Sequence, residues 1–209
     1  MIRRFSMAAL ALLIAVPLAA QAPAGLQLRT EGSTNAADPD DVPDVTVATV
    51  GNGFQINTGP AVIAWDESHT ASRPYTLSGT FTLLEPSGHV NYYGLIYGGG
   101  SLDEAGQNYM YFVIAQNGSY VVKHRAGGNV HDIQGRTPHD AITKPGDDGT
   151  SVNRLEVRVG NDETEFVVNG TVVHTVENSG MAGRTDGVWG VRVNHVIPGV
   201  LVEDLGVSR

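Results

Sequence analysis

The segment PYTLSGTFTLL, residues 74–84, alternates apolar and polar side chains with a period of two. The segment NRLEVRV, residues 153–159, repeats this alternation. Such a pattern is typical of a β-strand with one buried face. Similar short segments follow one another, separated by glycine or proline, and no 3.6-residue apolar stripe accompanies them. We therefore predict an all-β antiparallel sandwich over residues 45–209. Its predicted core includes Phe81, Phe112, Leu155, Val157 and Phe166.

The first 20 residues resemble an export signal. Arg3 and Arg4 precede a short apolar run, and Ala19 and Ala20 follow it. The run is too short for a comfortable membrane span, so we predict a signal peptide over residues 1–20 and no integral membrane span in the mature chain. The expected location is periplasmic or extracellular in a bacterium.

Residues 21–44 are predicted to be an acidic flexible linker. The stretch EGSTNAADPDDVPD, residues 31–44, contains five carboxylates, two prolines and no basic residue. Such a composition disfavours burial and ordered structure. The spacing of its acidic residues does not match an EF-hand loop, so no calcium site is predicted there.

Charge and cysteine content exclude several classes of protein. The chain has 13 basic and 22 acidic residues and a formal net charge of −9. Its basic residues form no stripe that could bind the phosphate backbone of a nucleic acid, so no nucleic-acid partner is expected. With no cysteine, it forms no disulfide. The pairs His131-Asp132 and His139-Asp140 lack the spacing of a zinc motif, and neither a metal nor a cofactor is predicted.

Two Asn-Gly pairs predict tight hairpins, because this dipeptide suits a type I′ turn. A two-residue turn at Asn117-Gly118 would place Tyr111 opposite His124, and directly opposed residues share a face. A second turn at Asn169-Gly170 would place Glu165 opposite His174. We interpret the latter as an exposed cross-strand pair, with proton transfer as the alternative.

The order of these segments resembles the concanavalin A-like lectin/glucanase superfamily. The matching features are an N-x-L-x-V strand at residues 153–157, the hairpin at Asn169-Gly170 and a late G-V-x-V strand at residues 190–193. Within this superfamily the chain resembles exported bacterial jelly rolls called family 16 glycoside hydrolase-like or 3-keto-disaccharide hydrolase domains. The resemblance covers roughly residues 51–207 and implies two curved sheets, one with a concave face that holds saccharide in many relatives.

The catalytic pattern of family 16 glucanases is absent. Those enzymes carry E-x-D-x-x-E on one strand, since retaining hydrolysis needs two carboxylates about 5 Å apart. The nearest segment, NDETEF at residues 161–166, has its acidic residues in a different order. Non-catalytic binding is therefore favoured over hydrolysis, although the enzyme class stays open.

A saccharide surface is predicted on the face that carries the tyrosines of the first hairpin. Aromatic rings with a few convergent polar groups are what such a surface requires. The glycine-rich loop at residues 98–107 is either a structural connector or the rim of this surface, and its length, greater than a simple connector needs, is the argument for the rim. The candidate ligand-binding residues are Asp103, Gln107, Tyr109, Tyr111, His124, Arg192 and Asn194.

Three functions remain open at this stage. The first is a secreted carbohydrate-binding domain whose partner is a saccharide or polysaccharide. The second is a glycan-acting hydrolase or lyase, which predicts carboxylates or histidines converging in one cleft. The third is a structural or adhesive β-sandwich, which predicts a flat polar face without a pocket.

Overall fold

The computed structural model describes residues 21–31 and 45–209, and all the regular elements among them are β-strands. The predicted signal peptide, residues 1–20, lies outside the described residues. No helix long and apolar enough to cross a membrane is found in this described part of the chain.

Seven strands form the first sheet, sheet A, and every pairing is antiparallel. In spatial order they are β1 (Gln27–Glu31), β4 (Ala61–Ala71), β13 (Gly187–Val193), β6 (Tyr92–Gly100), β7 (Asn108–Ala115), β8 (Ser119–Ala126) and β9 (Asn129–Pro138).

Seven further strands form sheet B, also antiparallel throughout. Their order is β12 (Thr171–Glu177), β11 (Glu163–Val168), β10 (Ser151–Val159), β5 (Tyr75–Glu85), β14 (Gly199–Ser208), β3 (Gly53–Asn57) and β2 (Thr46–Val50). The strand at residues 75–85 is central, which explains its strict alternation: one face meets the core and the other meets solvent. The prediction of an all-β antiparallel sandwich is confirmed.

The main core lies between the two sheets, and aromatic rings join them. Phe112 of sheet A meets Phe166 of sheet B with ring centroids 5.1 Å apart, and Phe81 and Tyr93 meet at 6.1 Å. Such tilted pairs add about 0.5–1.5 kcal/mol each to the burial of apolar area. All five residues predicted for the core have no exposed surface: Phe81, Phe112, Leu155, Val157 and Phe166.

Part of the predicted linker is a strand. Gln27–Glu31 forms β1 and pairs with β4, from Gln27 opposite Trp65 to Glu31 opposite Ala61. The acidic composition was misleading here because the carboxylate of Glu31 is buried against arginine side chains from distant strands. The remaining acidic stretch, residues 32–44, lies outside the described part of the chain.

The first hairpin has a register one residue away from the predicted one. Ala115 faces Ser119 across a three-residue loop, in which the Gly118 amide donates to the Ala115 carbonyl at 2.9 Å. Gly118 has a φ of 82°, the left-handed conformation that closes such a loop. Tyr111 is therefore opposite Lys123, and His124 is opposite Met110.

The second hairpin has the predicted turn but an altered register beyond it. Asn169 and Gly170 both have positive φ, as a type I′ turn requires. A β-bulge then inserts Val173, so that Phe166 faces His174 and Glu165 faces Thr175. The predicted pairing of Glu165 with His174 was wrong for this reason.

Candidate functional site

The outer face of sheet A carries an apolar cluster, although this face points away from the core. The cluster spans five strands of the sheet and the loop after β6, and its members are Ile63, Trp65, Tyr92, Ile96, Leu102, Tyr109, Tyr111, Val113, Ala115, Val121 and Val188. Leu102, on the loop after β6, is only 1% exposed. This loop therefore packs on the outer face and covers part of it.

A cavity of about 330 Å³ opens on the same face. We call it the outer-face cavity. Its lining comes from the five adjacent strands β13, β6, β7, β8 and β9 and from the residue after β13, and consists of Tyr92, Tyr111, Val113, Val121, Lys123, Asp132, Arg136, Arg192 and Asn194. Val113 and Val121 are almost fully buried. The cavity thus combines an apolar floor with polar and charged groups around it.

Arg192 is held in place at the wall of the cavity by several partners. Its Nη1 donates to Glu31 Oε2 at 2.6 Å and to the Tyr109 hydroxyl at 2.8 Å. Its Nε donates to Asn194 Oδ1 at 3.1 Å, and its guanidinium lies over the Tyr111 ring, 5.2 Å from the centroid. These contacts fix the guanidinium before any ligand arrives.

Glu31 is the counter-ion of this arrangement. Its Oε1 accepts hydrogen bonds from Gln107 Nε2 at 3.1 Å and from the Tyr109 hydroxyl at 3.2 Å, and lies 3.6 Å from Arg125 Nη2. Burial raises the pKa of Glu31, but Arg192, Arg125 and Gln107 together outweigh burial, so the pKa lies below its ordinary value. The carboxylate is therefore ionised at neutral pH.

Burial also acts on the other polar groups of this network. It raises the pKa values of Tyr109 and Tyr111, so both phenols stay protonated. It lowers the pKa of Arg192, but the neighbouring Tyr109 and Glu31 reverse that effect, and the net pKa is raised. Arg192 and Glu31 form a nearly buried ion pair, with side chains 11% and 10% exposed.

The opposite side of the outer-face cavity is charged but more open to solvent. Lys123 Nζ lies 2.9 Å from Asp132 Oδ1. The Arg136 guanidinium lies 5.7 Å from the centroid of the Tyr92 ring, and the Tyr92 hydroxyl forms a 3.2 Å hydrogen bond with the Ser119 hydroxyl. The cavity is therefore bordered by two arginines, each placed over a tyrosine ring.

Three of the predicted ligand-binding residues lie together in this cavity: Tyr111, Arg192 and Asn194. Two others support it from behind. Tyr109 is fully buried and Gln107 is 1% exposed, and both bind Glu31, so neither offers a surface to a ligand. Asp103 is exposed on the loop after β6 and does not line the cavity.

His124 is on the other face of sheet A. Because the hairpin is shifted by one residue, its ring points to the side of Met110, and its Nε2 contacts Asn108 Oδ1 at 3.0 Å. Burial lowers the pKa of this imidazole. The placement of His124 beside Tyr111 was wrong, and Lys123 occupies that position instead.

Sequence reasoning missed five charged or aromatic residues of the site, namely Glu31, Tyr92, Lys123, Asp132 and Arg136. A correct hairpin register would have identified Lys123, and its cross-strand partner Asp132 would have followed. Glu31 had no local signal, because its partner is 161 positions away. Among the described residues, no group of three or more histidines, cysteines or acidic residues could hold a metal ion.

A larger cavity, of about 520 Å³, lies on the outer side of sheet B near Tyr75 and Arg158. Both of the arginines Arg73 and Arg158 are paired with neighbouring carboxylates: Arg73 contacts Asp186 at 3.4 Å, and Arg158 contacts Glu156 at 2.8 Å. The Tyr75 hydroxyl donates to a backbone carbonyl. Size alone does not make a site. We favour the outer-face cavity because it joins an apolar floor to two arginines that each lie over a tyrosine ring.

Comparison with known proteins gives structural matches alone. Neither a family model nor a curated protein sequence matches the chain. The carbohydrate-binding module CBM66 from Bacillus subtilis is similar in structure, with a TM-score of 0.62 and 14% identity, over 79% of this chain and 92% of that one. A Bacillus subtilis protein of unknown function with a galectin-like fold has a TM-score of 0.53 and 11% identity, over 87% and 97% of the two chains. At such identities the matches report the fold, and the chain has the concanavalin A-like jelly-roll fold that its sequence predicts.

Proposed function

We propose that this protein is an exported carbohydrate-binding domain that holds a saccharide in the outer-face cavity. The observation that carries this proposal is the cavity itself, in which five strands bring an apolar floor and several hydrogen-bonding groups to one place. A sugar presents both apolar C–H surface and many hydroxyls, so it needs such a mixed surface. Export rests on residues 1–20 and is part of the proposal.

Recognition in this cavity would rely on polar contacts more than on open aromatic faces. Tyr111 is only 7% exposed, and its ring contacts both the Arg192 guanidinium and the Tyr109 ring, whose centroid is 5.7 Å away. The remaining donors are the ammonium of Lys123 and the guanidinium groups. Asp132 and Asn194 add acceptors, so donors and acceptors for adjacent hydroxyls are both present.

The structural neighbours support this proposal through the fold. The neighbour with the TM-score of 0.62 is itself a carbohydrate-binding module. Jelly-roll folds also carry other functions, so the fold alone would not identify a ligand. Together with the cavity, however, it favours sugar binding over a purely structural or adhesive role, for which a flat face was expected.

The arrangement gives less support to the hydrolase or lyase alternative. Asp132 is the one carboxylate among the residues that line the cavity. Glu31 lies behind Arg192 and is already bound by two arginines. Hydrolysis of the usual retaining or inverting kind uses two carboxylates on either side of the scissile bond. A binding role requires no such pair.

A glycan array followed by titration calorimetry tests the proposal. The variant Lys123→Gln replaces a charged donor in the cavity by a neutral amide, and we expect it to weaken binding of the best array glycan by roughly tenfold, because hydrogen bonds to charged groups are worth about 1.5–3 kcal/mol. Lys144→Gln is the matched control, since Lys144 is exposed and does not line the cavity.

Two results would contradict the proposal: no glycan binds, or both lysine variants bind the glycan as the parent protein does. Incubation of the same glycans with the protein, followed by a reducing-sugar assay, tests the alternative. Release of reducing ends would favour the hydrolase instead.

A further inference from the structure

The outer-face cavity contains more positive than negative groups, in a chain whose formal net charge is −9. Three cationic side chains line it, those of Lys123, Arg136 and Arg192, against the single carboxylate of Asp132. A local excess of positive charge on an acidic protein concentrates anions at that place. Binding of a neutral sugar would not explain this local excess of positive charge.

The three cations differ in how they are neutralised. Arg192 is paired with Glu31 at 2.6 Å, and Lys123 with Asp132 at 2.9 Å. Arg136 contacts the Tyr92 ring, and none of the residues that the structure describes forms an ion pair with it. The charge of Arg136 is therefore the one that a ligand can neutralise without displacing a protein carboxylate.

The position of Arg136 suits an anion that is part of a larger ligand. It projects from β9, two strands away from β7, and reaches the ring of Tyr92 on β6, so it borders the cavity opposite Arg192. An arginine supported by an aromatic ring keeps its planar set of N–H donors available, and this set matches the two oxygens of a carboxylate. Lys123, whose side chain is 29% exposed and paired with Asp132, lies on the same side and offers a further N–H donor.

We propose that the ligand of this cavity is an acidic saccharide, of the uronate class, whose carboxylate binds Arg136 with help from Lys123. This inference rests on the proposed function, because it specifies the sugar that the same cavity holds. The apolar floor and Asn194 would contact the neutral part of the sugar. The acidic group would fix its orientation between the two arginines.

The test compares each acidic saccharide with its own uncharged form. Oligomers of galacturonate, glucuronate and mannuronate are titrated by calorimetry beside the same oligomers after reduction of their carboxyl groups. We expect at least one acidic oligomer to bind about tenfold more tightly than its reduced form. The affinity for the acidic oligomer should decrease more than that for the reduced form as the salt concentration rises from 50 to 500 mM, because salt screens an exposed charge pair.

The variant Arg136→Gln locates the effect. It should weaken binding of the acidic oligomer by about tenfold. The control variant Arg154→Gln, which replaces an arginine on the outer face of sheet B, should leave this affinity unchanged. The melting temperature of Arg136→Gln should stay near that of the parent protein, because the Arg136 side chain is exposed.

The outcomes separate this inference from the proposed function. Equal affinity for acidic and reduced oligomers would overturn the inference and leave the carbohydrate-binding function standing. Binding of neither form, together with an empty glycan array, would overturn both. Unchanged binding of the acidic oligomer by Arg136→Gln would refute the role of Arg136, and binding of sulfated glycans alone would refute the uronate assignment.

Discussion

Replacement of Glu31 by glutamine should destabilise the protein by about 3 kcal/mol at pH 7. The change preserves the size of the side chain but leaves the charge of Arg192 without its 2.6 Å partner. Removal of one member of a buried ion pair typically costs about 3–5 kcal/mol, because the other charge remains desolvated. The two side chains are 10% and 11% exposed, which places the cost at the lower end of that range.

Urea denaturation of the parent protein and Glu31→Gln, followed from pH 7 to pH 3, measures this effect. In a domain of this length, 3 kcal/mol corresponds to a decrease of roughly 6–12 °C in melting temperature. The pKa of Glu31 is lowered in the folded state from its ordinary 4.5, so its stabilising contribution is complete above pH 4.5 and is lost as the pH falls through the folded-state pKa. The difference between the two proteins should therefore shrink in acid.

Asp132→Asn is the control for this experiment. It breaks the ion pair with Lys123, whose members are 60% and 29% exposed, and such pairs are worth at most about 1 kcal/mol. A cost below 0.5 kcal/mol for Glu31→Gln, or a cost that does not depend on pH, would refute the argument that Glu31 neutralises Arg192 in the fold.

Two further changes test the packing. Gly118→Val should lower the free energy of unfolding by about 1–2 kcal/mol, because Gly118 has a φ of 82° and a Cβ there would lie 2.5 Å from Lys144 Cε. Thermal denaturation measures this change, and an unchanged melting temperature would disprove the three-residue loop. Phe112→Ala should lower the free energy of unfolding by about 3–5 kcal/mol, since the Phe112 ring is fully buried against Phe166. A loss of less than 1 kcal/mol by calorimetry would place Phe112 outside the core.

Strand alternation was enough to predict the fold, because each strand places one row of side chains in the core. Phe81 and Val157 were assigned correctly from their own segments, without knowledge of the neighbouring strands. The late strand was equally informative: Val191 lies in the core, while Arg192 lies on the outer face. Local periodicity therefore determines which way a side chain points, provided that the strand itself is recognised.

The candidate site was only partly predictable, because it depends on register between strands. An Asn-Gly pair is compatible with a two-residue turn and with the end of a three-residue loop, and the first hairpin uses the second option. Here the Asn117 side chain also accepts hydrogen bonds from the Ser119 amide and hydroxyl. Because the predicted register was wrong by one residue, His124 was assigned to the wrong face of the sheet and Lys123 was not recognised as a site residue.

The strand β1 lies at the edge of sheet A, where β4 is its one strand neighbour in the described part of the chain, yet its last residue, Glu31, holds Arg192 at the cavity wall. Detachment of this edge strand would therefore remove the counter-ion of the Arg192 guanidinium and leave it with its contacts to Tyr109, Tyr111 and Asn194. By linkage, any ligand that requires an ordered Arg192 suppresses that local opening, by about 2.7 kcal/mol at a ligand concentration of 100 times Kd. For such a ligand, occupancy of the cavity and attachment of β1 would each stabilise the other.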